Sequence, residues 1–534
     1  MMQQLVEVKP VVIVGGSLVG LSAANFLRSW NVPTIVVEKH VKSMTHPRAI
    51  GFTPRTLELY RAIGLDTLIP QVSPNLRLKR SRVESLAGKH FETTQFTPGG
   101  NDNNILDFSP CTGSAIAQDK LEHILRENAK NTGAELLLGF ELTGFKENPN
   151  GIVVTVRDSD GNIKEFEASY LIACDGNKST VRQALEIDRH GYGLLSIQRS
   201  VLFRAPLDDY LKQMDTRQFV IDQPDLKAFL TTYEDGRWVL MFGDDEARSD
   251  EDLKQLIIKA IGRPDLADNI EIITTGRWEL SALISSKYLK GRVFLAGDAA
   301  HTLPPNRGGY GANTGIEDVH NLSWKLAHVL QGVSKPDLLQ TYEDERLPIG
   351  WLRYNQIFVR PDYKSHLEKI GGTPPTVPLF HEIAVELGQR LQSSAVVFNE
   401  GEETLPPAKL PSEWQGQPGT RLNHLWITNA DGEKKSTLDL VRNQWILITS
   451  SNEWKSVSER VSKETKINLN CFQLGKDFKY ENGDQDFLMK FGINNKGVSL
   501  VRPDGYIAWK CTSFPKNAEQ ELLQVLCQVA SISS

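Results

Sequence analysis

The chain has 534 residues, and its 40% apolar and 24% charged residues are ordinary for a soluble globular protein of roughly two to four domains. Its net charge of −6 excludes a nonspecific nucleic-acid binder, which needs a basic surface to displace counterions, and offers no attraction to an anionic membrane. No apolar run approaches the roughly 20 residues that span a bilayer, and the start MMQQLVEVKPVVIVGG lacks the parts of a secretory signal, so a cytoplasmic location is expected.

Residues 11–14 (VVIV) predict a short buried strand. A Gly-rich turn and a helix over about 21–30 follow, and a second β-branched run over 34–37 ends at Glu38. Together these make one βαβ unit. The turn Gly15-Gly16-Ser17-Leu18-Val19-Gly20 stands after a strand and at a helix start. There, backbone N–H groups face an anion and small residues let a pyrophosphate approach. Ser17 takes the place of the usual middle glycine. Glu38, 18 residues after Gly20 and followed by Lys39, carries a carboxylate suited to ribose hydroxyls. A Gly-rich turn alone also reads as a structural tight turn; strand, helix and Glu38 together favour dinucleotide binding.

Two alternating segments over 152–173 flank Asp160-Gly161, a strong hairpin signal. The buried run 170–173 leads to Asp175-Gly176, readable as a turn chosen for aspartate's turn propensity or as a second nucleotide contact. Residues 200–280 hold strand-like segments such as 237–242 (RWVLMF) and no nucleotide signature, which suits a separate sheet over a ligand. A strand over 293–296 delivers Asp298, and a polar Gly-rich loop then enters a helix over about 315–331. Two helix N-termini on one ligand suit a long dinucleotide whose far end is a flavin, since reduced flavin carries negative charge. The plainer alternative is a surface loop with Asp298 as an N-cap. The Glu-, Pro- and Gly-rich stretch 400–418 predicts an exposed, extended linker. Beyond it come a strand over 445–449 and a strand pair around Pro503-Asp504-Gly505. Five scattered cysteines, none in a C-x-x-C pair, argue against disulfides and a structural metal.

With these motifs in this order, the chain resembles the single-component FAD aromatic hydroxylases, the group of para-hydroxybenzoate and phenol hydroxylases. Within that group it is most similar to polyketide hydroxylases acting on polycyclic phenols. The resemblance is carried by the Gly-rich turn with Glu38, by His46-Pro47-Arg48, by Gln118 heading QDKLEHILRENA, by CDGNKS with Arg182, and by FLAGDAAHTLPPNRGGYGANTG. It is strong over residues 10–360. It implies an α/β chain with a Rossmann-like FAD-binding domain (1–180 and 286–400) and an inserted β-sheet substrate domain (181–285). A linker (401–418) and a C-terminal thioredoxin-like domain (419–534) lacking C-x-x-C would follow.

Carried over by residue, the resemblance implies that Glu38 binds ribose while Arg48 and Gln118 hold FAD. Asp175 would serve both nucleotides and Asp298 the ribityl chain. Ala312 and Asn313, after Gly311, would contact the flavin ring, and Pro305 would bring its carbonyl near the substrate. The loop from Pro305 to Asn313 is one residue longer than in well-known relatives, Arg307 being the apparent extra. His301 and Arg360 are candidates for acid–base work on a phenol, each with a structural alternative. NADPH (or NADH) would be a transient electron donor and O2 a co-substrate. The implied activity is ring hydroxylation of an aromatic, phenolic or polycyclic substrate. Baeyer–Villiger, epoxidising or antibiotic-inactivating chemistry on the same scaffold is one alternative, and a flavin-containing polyphenol-binding protein without turnover is another. A homodimer is left open.

Overall fold

The computed structural model describes residues 8–42, 51–75, 79–95, 105–213, 216–233, 235–305, 309–399 and 401–532. Its first sheet grows from Val11–Val14, which pairs in parallel with Thr34–Glu38 on one side and Tyr170–Ala173 on the other. All four residues are buried, as expected of a parallel strand covered on both faces. The crossover helix is Leu18–Ser29; it begins earlier than the apolar periodicity suggests, with Ser17 at the N-cap position making no side-chain capping bond. The full order is Leu289–Lys290, Val293–Leu295, Tyr170–Ala173, Val11–Val14, Thr34–Glu38, Glu135–Leu138. The expected hairpin is present: Gly151–Arg157 and Ile163–Ala168 pair antiparallel, with Glu141–Asn148 as a third strand.

The second sheet has eight strands in the order His301–Thr302, Glu271–Ser285, Arg189–Arg204, Arg237–Phe242, Leu226–Thr232, Gln218–Gln223, Lys79–Val83, His90–Gln95. One face packs on the helix Asp250–Ile261, held at its start by a Ser249/Asp252 capping box. The sequence reading confined this sheet to residues 181–285, but it also recruits strands from 79–95 and 301–302. Those strands gave little signal. His90–Gln95 is an exposed edge strand with no apolar alternation, and His301–Thr302 is two residues long. The short strand matters for the site, because its pairing with Leu283 and Ile284 takes the chain into the second sheet just past Asp298.

In the C-terminal part, Trp445–Thr449 pairs in parallel with Leu469–Gln473 across the helix Glu453–Thr465. Val498–Val501 and Ile507–Cys511 add an antiparallel hairpin, and the helix Ala518–Val529 follows. Its core is continuous with the first layer, Trp324 meeting Trp445 edge to face at 5.7 Å. Residues 401–418 do not form the exposed, extended linker expected. Trp414 is buried and its indole N–H donates to the Gly388 carbonyl at 2.7 Å. Composition described the backbone habit there, whereas one tryptophan decides the burial.

Buried charge completes the docking. Arg502 reaches both oxygens of Glu345 at 2.5 and 2.9 Å, and Lys325 reaches Glu345 at 2.8 Å, with all three side chains fully enclosed. No helix among the described residues is long and apolar enough to cross a membrane.

Candidate active site

The carboxyl ends of Val11–Val14, Thr34–Glu38, Tyr170–Ala173 and Val293–Leu295 lie side by side, and the Gly-rich turn, Glu38, Asp175 and Asp298 each follow one of them. In an open parallel sheet that edge is where ligands sit. Gly15 has φ of 104°, and a β-carbon there would stand 2.3 Å from the Cys174 carbonyl oxygen, so glycine alone lets the turn pass the Asp175 loop. The Glu38 carboxylate accepts from Gly16 N–H at 2.6 Å and His40 N–H at 2.8 Å, which fixes it at the strand end; Lys39 beside it is exposed.

Ser17 is more than a small stand-in for glycine. Its hydroxyl donates to buried Glu122 at 2.5 Å, and the Gln118 amide donates to Ser17 Oγ at 3.2 Å and to Glu122 at 2.8 Å. The Ser17 side chain therefore does not cap its own helix, and the first N–H groups of Leu18–Ser29 are left for an anion. Glu122 escaped the sequence reading; its one available signal is the four-residue spacing from Gln118 on the helix Gln118–Asn131.

The second helix is Tyr310–Leu330, which starts before the predicted 315 and so places Gly311, Ala312 and Asn313 in its first turn. Glycine content suggested a loop there, but packing overrides propensity. A β-carbon on Gly315 would lie 2.8 Å from Gly297 Cα and 2.6 Å from Val19 Cγ2, so this helix rests directly on the Gly297 turn, where Asp298 is exposed. The Asn313 side chain is spent on bracing. Its oxygen accepts from the Thr56 hydroxyl at 2.6 Å and Thr53 N–H at 3.2 Å, and its nitrogen donates to the carbonyls of Gly309 at 2.8 Å and Gly51 at 3.3 Å. The N–H groups of this turn, again without a side-chain cap, are what face a ligand.

Beneath the Gly297 turn, Asp318 accepts from Gly297 N–H at 3.2 Å and Arg346 Nε at 2.8 Å, and pairs with His301 Nε2 at 2.7 Å. Burial opposes the charge on Asp318, but His301 and Arg346 outweigh it and hold the carboxyl below its usual range. His301 is fully enclosed, under the turn rather than at the open edge. Arg182 ties two motifs together, donating to Ala299 O at 2.9 Å and Asn177 O at 2.8 Å. Burial, then the neighbouring Arg189, pushes its pKa down to about 10. Asp175 accepts from the Thr180 hydroxyl and Val181 N–H, both at 3.2 Å, while its other carboxylate oxygen is buried with no partner. Such an orphaned acceptor, beside two uncapped helix starts and a glycine cradle, fits a polar dinucleotide such as FAD.

The remaining candidates make contacts of their own. Pro305 is exposed, its carbonyl accepting from the Tyr363 hydroxyl. Arg360 pairs with Glu382 at 2.7 Å, close enough for both charges to act on the buried Tyr310 hydroxyl. Arg48 and Arg307 lie outside the described residues.

Glu386, also missed from sequence, accepts from Arg55 N–H at 3.4 Å at the start of the helix Pro54–Ala62. Burial raises its pKa to about 7, with Thr53 and Arg353 opposing. The folded protein then holds this proton more tightly than the unfolded chain, so stability is lost as pH climbs from 4.5 through 7. Glu386→Gln should be more stable than the parent at pH 8, by about 1–3 kcal/mol, and nearly equal at pH 4.5. Urea unfolding midpoints at the two pH values check this, and a gain confined to low pH would contradict it.

Comparison with known proteins adds the following. A family model described as FAD binding domain matches residues 8–356, and one described as aromatic-ring hydroxylase, C-terminal, matches residues 415–530. A 4-methyl-5-nitrocatechol 5-monooxygenase of Burkholderia sp is 35% identical, over 97% of this chain and 96% of its own. The tetracenomycin A2 monooxygenase-dioxygenase of Streptomyces glaucescens is 34% identical over 99% and 98%. Among solved structures, aklavinone-11 hydroxylase in ternary complex with FAD and aklavinone superposes with a TM-score of 0.86 at 30% identity, covering 98% of this chain and 99% of that one.

Proposed function

Because the chain belongs to the FAD-binding aromatic-ring hydroxylases and is an FAD-dependent monooxygenase, we propose that it uses NADPH and O2 to place one hydroxyl on a phenolic ring of a polycyclic substrate. The observation that carries this reading is the convergence of two helix N-termini without side-chain caps on one strand edge, where the second Asp175 oxygen is buried without a partner. Relatives named for tetracenomycin and aklavinone support a polycyclic substrate, and the nitrocatechol relative supports a phenolic one.

FAD, when bound, would supply the redox chemistry between the nicotinamide and O2; the chain's own work is placement. In this reading the Gly15–Gly20 turn admits the pyrophosphate and Glu38 takes the ribose. Asp175 and Asp298 hold polar parts of the chain between the rings. Ala312 and Asn313 turn backbone N–H groups toward the flavin, where the helix start favours negative charge. His301, enclosed against Asp318, steadies the Gly297 turn, and Arg360 acts through Glu382; neither is taken as a proton donor to substrate. Holding the ring in register supplies much of the catalysis, because orientation replaces a large part of the barrier.

We also take the C-terminal part as a thioredoxin-like unit with a structural role. Its parallel βαβ pair followed by a hairpin and a helix supports the first, and cysteines that are free and unpaired support the second. Free cysteines throughout suit a reducing compartment, and the cytoplasm is our proposed location.

The test is an NADPH oxidation assay on the purified, FAD-loaded protein with simple and polycyclic phenols. Oxidation accelerated by a polycyclic phenol, with a product heavier by one oxygen, is expected. Acceleration by single-ring phenols alone would overturn the substrate class, and a colourless protein that cannot be reconstituted with FAD would overturn the cofactor assignment.

A further inference from the structure

The helix Pro361–Lys369 carries no motif, yet it touches the connection between the two sheets' functions. Pro305 lies between the strand His301–Thr302, which closes the edge of the second sheet, and Gly309, which opens the flavin-side helix. We propose that Tyr363 is a positioning residue whose hydroxyl, by donating to the Pro305 carbonyl, fixes the chain just after the strand His301–Thr302 and so keeps NADPH oxidation coupled to hydroxylation. The proposal rests on the monooxygenase reading above.

The hydroxyl is aimed by rings anchored on both sides. Tyr363 packs edge to face on Phe358 at 5.9 Å, and Phe358 packs on Tyr354 at 4.9 Å and on Tyr192 at 4.6 Å. Tyr192, on the substrate sheet, stacks on Tyr354 at 5.5 Å and gives its N–H to the Tyr354 oxygen at 2.8 Å. Edge-to-face and offset contacts of this kind hold rings in preferred orientations, so the position of the Tyr363 oxygen is inherited from the sheet and from the helix Gln340–Phe358. Burial pushes its pKa up to about 12, which keeps it a donor at any ordinary pH. A tyrosine engaged this way pins rather than titrates.

In the coupled reaction ArH + NADPH + H⁺ + O2 gives ArOH + NADP⁺ + H2O. When the ring and the cofactor are out of register, the same reductant and oxidant give NADP⁺ + H2O2 and the ring is untouched. A Pro305 freed from Tyr363 should favour the second outcome.

Tyr363→Phe keeps the ring and removes the bond. In the full-length protein without FAD, amides of residues 301–303 and 309–313 should exchange with solvent about fivefold faster, the factor expected for one lost hydrogen bond. In the FAD-loaded protein the share of NADPH ending as H2O2 should rise at least about threefold, with the pH profile of oxidation unshifted. Phe358→Leu, which leaves the hydroxyl but removes its support, should move both readouts in the same direction by less, and decides the matter if Tyr363→Phe does not fold. Unchanged exchange in that segment, an unchanged H2O2 share, or a shifted pH profile would each overturn the proposal. A parent protein that hydroxylates no phenol would instead overturn the monooxygenase reading, and the exchange comparison would still decide whether Tyr363 pins Pro305.

Discussion

Gly15→Ala protein is expected to purify colourless and to be less stable than the parent by about 3–5 kcal/mol. Two independent costs add at this position. The residue sits at φ of 104°, outside what a side chain tolerates, and the new β-carbon would lie 2.3 Å from the Cys174 carbonyl oxygen and 3.1 Å from Asp175 N. Both sides of the clash are tied to the sheet, because Cys174 N–H is bonded to Val14 O at 2.7 Å and Gly15 N–H to Val37 O at 2.8 Å. The turn would have to leave the Asp175 loop, separating two of the groups assigned to FAD. Urea unfolding and a flavin fluorescence titration measure the two effects. A yellow Gly15→Ala protein of parental stability would show that the turn is not shaped for a nucleotide.

The second large effect lies in the buried charge cluster around Glu345. Arg502→Met should cost about 3–5 kcal/mol, because it strands carboxylates that are wholly out of water. Arg502 holds both oxygens of Glu345 and donates to Asp504 at 3.0 Å. Without it, Lys325 faces two buried negative charges alone. The consequence reaches the site, since Glu345 precedes Arg346, the arginine that holds Asp318 under the Gly297 turn. Adding Glu345→Gln to Arg502→Met leaves Lys325 and Asp504 as one positive and one negative group bridged by Asn321. The double variant should therefore recover at least about 1 kcal/mol over Arg502→Met alone. Additive losses would contradict the assignment of this cluster as a coupled unit.

Much of the nucleotide side was legible because its physics is local. A buried strand, a turn that needs glycine and a carboxylate at the next strand end are all set within 30 residues, and the structure brings Gly15, Glu38, Asp175 and Asp298 to one edge. What escaped depends on contacts across long stretches of chain. Glu122 meets Ser17 across 105 positions, and Asn313 meets Thr56 across 257. The start of the helix at Tyr310 was missed for the same reason: its glycines are there to touch Gly297, not to loosen a loop. Trp414 defeated the linker reading in a similar way, its indole being buried against a carbonyl 26 positions earlier. The eight-stranded sheet was the least legible element, since its outer strands carry no alternation and the chain adds the last of them after the Gly297-Asp298 motif.

The central claim is that one atom of O2 goes onto a ring carbon. The most direct measurement is turnover, by FAD-loaded protein under ¹⁸O2 with NADPH, of the phenol that most accelerates NADPH oxidation, with the product examined by mass spectrometry and NMR. The account predicts a single ¹⁸O in a new ring hydroxyl, formed at the expense of one NADPH per product. An ¹⁸O placed inside a lactone, or NADPH consumed with every labelled atom recovered in H2O2, would contradict it.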